Sequence, residues 1–229
     1  MIDLATWNLS IPVGVPATTI TTPMLVGGYQ DDYFQTRDGT VIFWAPVNGT
    51  TTENSIYPRS ELRETYADGT LRNWTYPEAD NYLRAALTVN QVPSTGRIVI
   101  CQIHTYKSTQ PLFMLEYQYK TSTATGNIVA KVRMSPGAPI QAISIASGIP
   151  LDQRFTYNVH LTPAGTLSIT INSSLYESPF NWKARMDSSW APKALYFKAG
   201  VYTLDNTGYE TEAGRATFYK LGIEHRPLP

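Results

Sequence analysis

Cysteine, net charge and long apolar runs are all scarce in this chain of 229 residues. The single cysteine, Cys101, cannot form an internal disulfide and lacks the neighbours of a zinc site or a cysteine nucleophile, so we expect a buried, inert thiol. The 18 Lys and Arg residues balance the 18 Asp and Glu residues, which argues against nucleic acid or a membrane surface as a partner. No apolar run of about 18 residues is present to span a membrane.

The length and the first residues set further bounds. A chain of 229 residues fits one all-β or α/β domain with a sizeable core, so we expect residues 1–229 to form one domain. We also expect the protein to be a monomer. The opening MIDLATWNLSIPVG lacks a basic segment followed by an apolar stretch, so either there is no secretory signal or it has been removed.

What the chain does contain is a series of short segments in which β-branched and aromatic residues alternate with polar ones. Two hairpins are predicted, one turning at Arg37-Asp38-Gly39 and the other at Pro163-Ala164-Gly165. Only the stretch from Asn181 to Trp190 carries a weak helical pattern. Many short strands without intervening helices predict an all-β sandwich or jelly roll.

One strand carries an unusually dense row of charged side chains. In YPRSELRET, alternation places Arg59, Glu61 and Arg63 on one face of an extended chain. Two arginines beside a carboxylate hold one another in place while they present guanidinium groups outward. A single row of this kind is more typical of an exposed salt-bridge ladder, so on its own it does not define a site.

Two further strands carry polar rows. Gln102 and His104 share a face in VICQIHTYKS, and Tyr196, Lys198 and Tyr202 share a face in LYFKAGVYT. Each row alone is also compatible with a structural polar pair or an amphipathic surface strand. Together the three rows supply cations, hydrogen-bond donors, an imidazole and phenols, a set that suits a sugar acid better than a neutral sugar.

The three rows carry a resemblance to a known family. RSELRE, QIH and YFKAGVY, in this order and at these separations, resemble the three signature segments of the family 7 polysaccharide lyases, the alginate lyases. DLATWNLSIPVG is similar to the N-terminal strand of that family, so the likeness runs from about Asp3 to the final strand. The resemblance implies a β-jelly roll of two curved antiparallel sheets with the substrate in a concave groove, in agreement with the periodicity.

The resemblance also implies a reaction, the endolytic β-elimination of the 4-O-glycosidic bonds of alginate, a polymer of mannuronate and guluronate. Arg59, Gln102 and His104 would surround the uronate carboxylate and stabilise the charge that develops when the C5 proton leaves. Tyr202 would protonate the leaving O4 and could act as base for mannuronate. For guluronate, His104 would be the base, since a neutral imidazole suits that task near pH 7.

Supporting or groove-lining roles in substrate binding are implied for the other members of the three rows: Glu61, Arg63, Lys198 and Tyr196. The mechanism requires neither a metal nor an organic cofactor. One departure is Leu204, where the family often has glutamine two residues after its tyrosine. In the family, QIH in place of QVH is associated with guluronate or mixed blocks, a weak indicator of specificity.

The two remaining histidines lie outside the polar rows. His160 sits between Val159 and Leu161, which predicts a solvent-facing position on a hairpin strand, and His225 lies near a C-terminus that we expect to fray. Structural roles or none are predicted for both. Family members usually act outside the cytoplasm, but no signal is visible here, so the location stays open.

Three alternatives remain. A non-catalytic uronate-binding jelly roll would use the same arginines and tyrosines but would not need His104 and Tyr202 together. A lyase for another polyuronate, such as glucuronan, would fit the same basic groove. A jelly-roll glycoside hydrolase requires two positioned carboxylates, and Glu61 between two arginines would have a lowered pKa, which does not suit a general acid.

Overall fold

Two antiparallel β-sheets packed face to face make up the computed structural model, which describes residues 1–229. In chain order the strands are β1 (Trp7–Ser10), β2 (Thr19–Ile20), β3 (Phe34–Arg37), β4 (Thr40–Pro46), β5 (Arg59–Glu64), β6 (Ala79–Gln91), β7 (Arg97–Thr105), β8 (Phe113–Lys120), β9 (Thr125–Val132), β10 (Gln141–Ile149), β11 (Phe155–Leu161), β12 (Thr166–Asn172), β13 (Phe180–Arg185), β14 (Leu195–Thr203) and β15 (Ala213–Pro227). Sheet A has the order β10-β9-β8-β7-β14-β5-β1-β2, and sheet B has the order β13-β12-β11-β6-β15-β4-β3. The all-β jelly-roll prediction is confirmed.

Both predicted hairpins form. Strands β3 and β4 pair up to Arg37 and Thr40, and the two residues between them, Asp38 and Gly39, have φ values of 50° and 79°. Positive φ at both central residues matches the twist of the flanking strands in a two-residue hairpin. The second hairpin joins β11 to β12 through residues 162–165.

The helical pattern predicted for Asn181 to Trp190 is wrong for most of its length. Residues Phe180–Arg185 form strand β13 at the edge of sheet B, followed by a 3₁₀ turn at Ser188–Trp190. A strand forms here because Trp182 and Ala184, two residues apart, both pack on the core, which matches the two-residue alternation of a strand. A short helix that the sequence reading missed, α1, spans Thr22–Val26.

The C-terminal segment is also better ordered than predicted. Strand β15 pairs with β6 as far as Pro227, and the His225 side chain is only 7% exposed. Its Nε2 lies 2.5 Å from Glu64 Oε1, and its Nδ1 lies 2.7 Å from Asn81 Oδ1. His225 therefore ties sheet B to strand β5 of sheet A, because its two ring nitrogens both find acceptors.

A continuous cluster of buried apolar side chains fills the space between the sheets. Cys101 is fully buried in this cluster, as predicted, and burial raises the pKa of its thiol. No helix in the structure is long and apolar enough to cross a membrane.

A bulge in strand β7 sets which of its residues face outward. The pairing of β7 with β8 shifts between Val99 and Cys101, and both Ile100 and Cys101 belong to the core cluster. An extra residue in one strand reverses the alternation beyond it. Arg97 and Val99 therefore share the outer face of sheet A with Gln102, although they lie at odd spacings from it.

Gly200 in strand β14 generates the first prediction. Its φ is +141°, and a Cβ there would lie 2.7 Å from the carbonyl oxygen of Ser60 and 2.9 Å from Glu61 Cα. We expect Gly200→Ala to lower the free energy of unfolding by about 2 kcal/mol or more, because strain and overcrowding add. Urea unfolding followed by circular dichroism measures the change.

The matched control is Gly222→Ala in strand β15. A Cβ at Gly222 meets nothing within 4 Å. We expect it to change the unfolding free energy by less than about 0.5 kcal/mol. Equal effects of the two substitutions would contradict the account of Gly200.

Candidate active site

The three polar rows meet on the outer face of sheet A because their strands are neighbours in the order β7-β14-β5. Tyr202 pairs with Arg59, and Lys198 pairs with Gln102. Tyr196 pairs with His104, two residues along each strand from the pair of Lys198 and Gln102. Side chains on directly opposed residues lie about 5 Å apart at their Cβ atoms, so the rows form one surface.

This surface is the floor of a groove of about 970 Å³. Six of the predicted site residues line it: Arg59, Gln102, His104, Tyr196, Lys198 and Tyr202. The rest of the lining comes from two loops, at residues 52–57 and 107–111, and from Met114, Arg133, Ile140 and Leu204. Of the eight predicted residues, only Glu61 and Arg63 lie outside the groove lining.

Glu61 lies beneath the groove and is fully buried. Its Oε1 accepts a hydrogen bond from Arg59 Nη1 at 2.9 Å and lies 2.7 Å from Lys198 Nζ. Its Oε2 accepts a hydrogen bond from Gln102 Nε2 at 2.8 Å. One carboxylate therefore holds an arginine, a lysine and an amide, each from a different strand, in fixed positions.

The charges of this cluster are set by their mutual contacts. Burial opposes ionisation of Glu61, but Lys198 and Arg59 outweigh burial and hold the pKa of this carboxyl below its ordinary value. Burial, followed by the neighbouring Arg59, lowers the pKa of Lys198 to about 8. Lys198 thus stays mainly protonated at pH 7, and the cluster carries one net positive charge.

The guanidinium of Arg63 packs on the ring of the neighbouring Tyr196. Its Cζ lies 3.7 Å from the ring centroid of Tyr196. Its Nη1 donates to the carbonyl oxygens of Glu64 and Arg72 at 2.6 and 2.7 Å, and its Nη2 lies 2.5 Å from Asn73 Oδ1. The guanidinium is thus occupied by protein acceptors, so contact with a substrate does not fit its position.

The substrate-binding prediction for Glu61 and Arg63 stays a prediction, and their positions bear on which of the implied roles they fit. Both side chains are buried, and neither lines the groove. Of the two implied roles, groove lining and support, their positions fit support. Alternation along β5 identified the correct face of the strand but did not reveal how deeply the two side chains are covered.

His104 is held by its Nδ1 atom. Thr105 N–H donates to Nδ1 at 2.9 Å, Tyr196 Oη lies 3.2 Å from it, and the Thr105 carbonyl oxygen lies 3.1 Å from it. Donation from Thr105 N–H requires an unprotonated Nδ1, whereas the Thr105 carbonyl oxygen accepts only from a protonated Nδ1, so these two contacts belong to different neutral tautomers. Both tautomers leave Nε2 free of protein partners. With the proton on Nε2 the ring donates a hydrogen bond, and with the proton on Nδ1 the Nε2 atom is a base.

The electrostatic surroundings keep His104 neutral. Burial is the main cause and Lys198 the next, and together they lower the pKa of the imidazole from 6.5 to about 4. A hydrogen bond from the ring to the Thr105 carbonyl oxygen and the charge of Glu61 act in the opposite direction but are weaker. The ring is therefore available as a neutral base or donor at pH 7.

Tyr202 is placed by a loop residue as well as by its strand. Its Oη lies 2.9 Å from Ser55 Oγ, which also accepts a hydrogen bond from Arg59 Nη2 at 3.2 Å. The Arg59 Cζ atom lies 3.9 Å from the centroid of the Tyr202 ring. Sequence reasoning missed Ser55, because it belongs to no strand and so leaves no periodic signal.

No group of three or more His, Cys, Asp or Glu side chains in the structure has an arrangement that would hold a metal ion. The charges that face the groove come from side chains such as Arg59 and Lys198. A groove lined by cations, donors and aromatic rings on the outer face of a two-sheet jelly roll is typical of a protein that acts on an acidic polysaccharide.

Comparison with known proteins assigns the family. A family model described as "Alginate lyase" matches residues 2–225. An alginate lyase from Pseudomonas aeruginosa has a crystal structure that is 44% identical, covers 98% of this chain and 100% of its own, and superposes with a TM-score of 0.91. The chain therefore belongs to the alginate lyase family.

Two further relatives agree. An alginate lyase from Klebsiella pneumoniae is 28% identical over 276 residues, which covers 97% of this chain and 89% of that protein. The crystal structure of alginate lyase A1-II′, described as a member of polysaccharide lyase family 7, is 29% identical with a TM-score of 0.85 and covers 99% of this chain and 97% of its own. The predicted family, family 7 of the polysaccharide lyases, is confirmed.

The low pKa of His104 generates a prediction about acid stability. Between pH 6.5 and about 4, the unfolded chain binds a proton at His104 that the folded protein does not, so stability falls as the pH falls. Because one pKa unit corresponds to about 1.4 kcal/mol, the loss from this group is up to about 3 kcal/mol.

We expect His104→Gln to remove this contribution. The difference in unfolding free energy between the variant and the wild type should shift in favour of the variant as the pH falls from 6.5 to 4. Urea unfolding at several pH values measures it, and the other titrating groups cancel in the difference. A difference that does not change with pH would contradict the assignment.

Proposed function

We propose that residues 1–229 form one catalytic domain that acts as a monomer on alginate chains. The domain would cleave their 4-O-glycosidic bonds endolytically, with Arg59, Gln102, His104 and Tyr202 as the catalytic residues. Membership of the alginate lyase family makes the protein a polysaccharide lyase of alginate. The observation that carries the residue assignment is the convergence of these four side chains in one groove around the buried Glu61.

The first requirement of β-elimination is to make the C5 proton acidic enough to leave. In this proposal Arg59 and Gln102 bind the carboxylate attached to C5, so that negative charge develops on an oxygen already surrounded by donors. Glu61 fixes both donors before the substrate arrives. Donors that need no rearrangement during the reaction lower the barrier most.

The second requirement is a pair of groups that move protons. A base takes the C5 proton, the electron pair forms the C4–C5 double bond, and the C4–O4 bond breaks while an acid protonates O4. Tyr202 would be the acid, and it would also be the base for mannuronate. His104 would be the base for guluronate with its Nε2 unprotonated, and a carboxylate donor for mannuronate in its other tautomer.

Substrate binding falls to Lys198 and Tyr196, which line the groove beside these residues. Variants of A1-II′, 28–29% identical to this chain, have been crystallised with a product written GGG and with a substrate written GGMG. Those complexes support an oligosaccharide as the occupant of the corresponding groove here. No step of the proposed reaction needs a metal or an organic cofactor.

The rival functions predict other arrangements. A glycoside hydrolase needs two carboxyl groups that face the substrate, one of them with a raised pKa. Glu61 is buried, is bound to two cations and has a lowered pKa. A binding module would need the cations and rings of the groove but no neutral imidazole beside a phenol.

Digestion of alginate tests the function directly. A lyase produces the ultraviolet absorbance of an unsaturated uronate in proportion to new chain ends, and endolytic cleavage lowers the viscosity before small products accumulate. New reducing ends without that absorbance would indicate a hydrolase. Binding without cleavage would indicate a module, and cleavage of glucuronan in preference to alginate would indicate another polyuronate as the substrate.

Substitution of the proton-transfer residues gives the next prediction. We expect Tyr202→Phe and His104→Asn each to lower kcat by about 10²- to 10⁴-fold, the usual effect of losing a general acid or base. Binding of oligouronates, measured by calorimetry, should change far less. Arg59→Ala should lower both kcat and the affinity for oligouronates, since that side chain would contact the substrate in the bound complex and in the transition state alike.

Tyr209→Phe is the matched control, because Tyr209 is 81% exposed and does not line the groove. It should retain full activity. Wild-type turnover in both Tyr202→Phe and His104→Asn would contradict the assignment of catalytic residues.

A further inference from the structure

A second buried carboxylate, Glu116, lies on the same outer face of sheet A as the groove. It belongs to strand β8 and its side chain is only 1% exposed. Arg97 Nε and Nη2 each lie 3.0 Å from its Oε1, and Gln118 Nε2 donates to the same oxygen at 3.2 Å. Lys131 Nζ lies 3.6 Å from Oε2.

The partners of Glu116 repeat those of Glu61 in kind. Each carboxylate is surrounded by one arginine, one lysine and one glutamine amide, which come from three strands of sheet A, one of them the carboxylate's own. Each cluster contains two cations and one carboxylate, and so carries one net positive charge. An arrangement that positions donors for a uronate carboxylate at the catalytic centre thus occurs a second time on the same face.

Two rows of paired residues connect this cluster to the groove. Tyr202 pairs with Val99, and Val99 pairs with Glu116, so Glu116 lies two strand spacings, about 10 Å, from Tyr202. Gln102 pairs with Met114, which lines the groove, and Met114 pairs with Lys131. The cluster therefore continues the groove floor.

The exposure of the donors differs from that of the carboxylate. The side chain of Arg97 is 43% exposed and that of Lys131 is 20% exposed, whereas Glu116 is covered. Burial of a carboxylate costs several kcal/mol before its partners compensate, and the residues beside it on this face, Val99 and Val129, are apolar. Stability alone would be served as well by an apolar residue at this position.

We propose that Arg97, Lys131 and Gln118, positioned by Glu116, form an additional subsite that binds the carboxylate of a uronate away from the cleaved bond. The inference rests on the proposed function, since it concerns a longer stretch of the same polymer. Glu116 is a positioning residue and does not contact the sugar. A subsite that contributes equally before and during the reaction raises affinity for long chains without changing kcat.

Chain-length dependence tests the subsite. Arg97→Gln and Lys131→Met are compared with wild type on alginate polymer and on trimeric uronates, which place at most two sugars on the cluster's side of the cleaved bond. We expect kcat/KM for the polymer to fall about three- to tenfold relative to that for the trimer, through a higher KM. This loss is what one exposed, charge-assisted hydrogen bond supplies.

Arg185→Gln and Lys183→Met are the matched controls, because both side chains are exposed on β13, the edge strand of the other sheet. Neither should change the ratio of polymer to trimer activity. Equal losses on polymer and trimer, or no loss on either, would overturn the inference. Lys131→Met leaves the ion pair of Arg97 with Glu116 intact. If Arg97→Gln fails to fold, Lys131→Met therefore still tests the subsite.

The outcome for the proposed function is separate. A wild-type protein that produces no unsaturated uronate overturns the lyase assignment before any variant is compared. The affinities of Arg97→Gln and of wild type for the polymer, measured by calorimetry, then still report the contribution of the subsite to binding. Equal affinities of the two proteins would overturn the inference by that route as well.

Discussion

The ionised Glu61 beneath the groove is the constraint on which the rest of the site depends. A buried carboxylate is tolerated only when its partners replace the water that it loses, and Arg59, Lys198 and Gln102 do so here. These partners come from three neighbouring strands, so one charge fixes their relative positions. The rigid sheet then holds the donors as a substrate requires them, with no loop movement needed to assemble them.

The same cluster governs the chemistry available to its neighbours. Burial and the nearby Lys198 keep His104 neutral, which leaves its Nε2 able to donate or to accept a proton. Tyr202 lies against Arg59 and Ser55 and lines the same groove. An imidazole and a phenol in one cationic groove suit an elimination in which one group removes a proton and another supplies one.

Much of the fold followed from patterns that are local in the chain. Alternating residues and turn residues such as Asp38 and Gly39 predicted strands and hairpins, because side-chain direction in a strand depends only on residue spacing. The errors fell where distant contacts decide. Strand β13 forms because Trp182 finds the core, and the C-terminal strand stays ordered because His225 contacts Glu64 and Asn81.

For the site, the sequence by itself determined which residues share a face within one strand, and its resemblance to a family indicated their roles. Only the tertiary structure decided that β5, β7 and β14 lie side by side, that Glu61 is buried, and that Ser55 reaches Tyr202. It also placed Arg97 on the face of Gln102, because the bulge at β7 breaks the alternation. Spacing along one strand is a local property, whereas strand order, burial and bulges depend on partners that are remote in the chain.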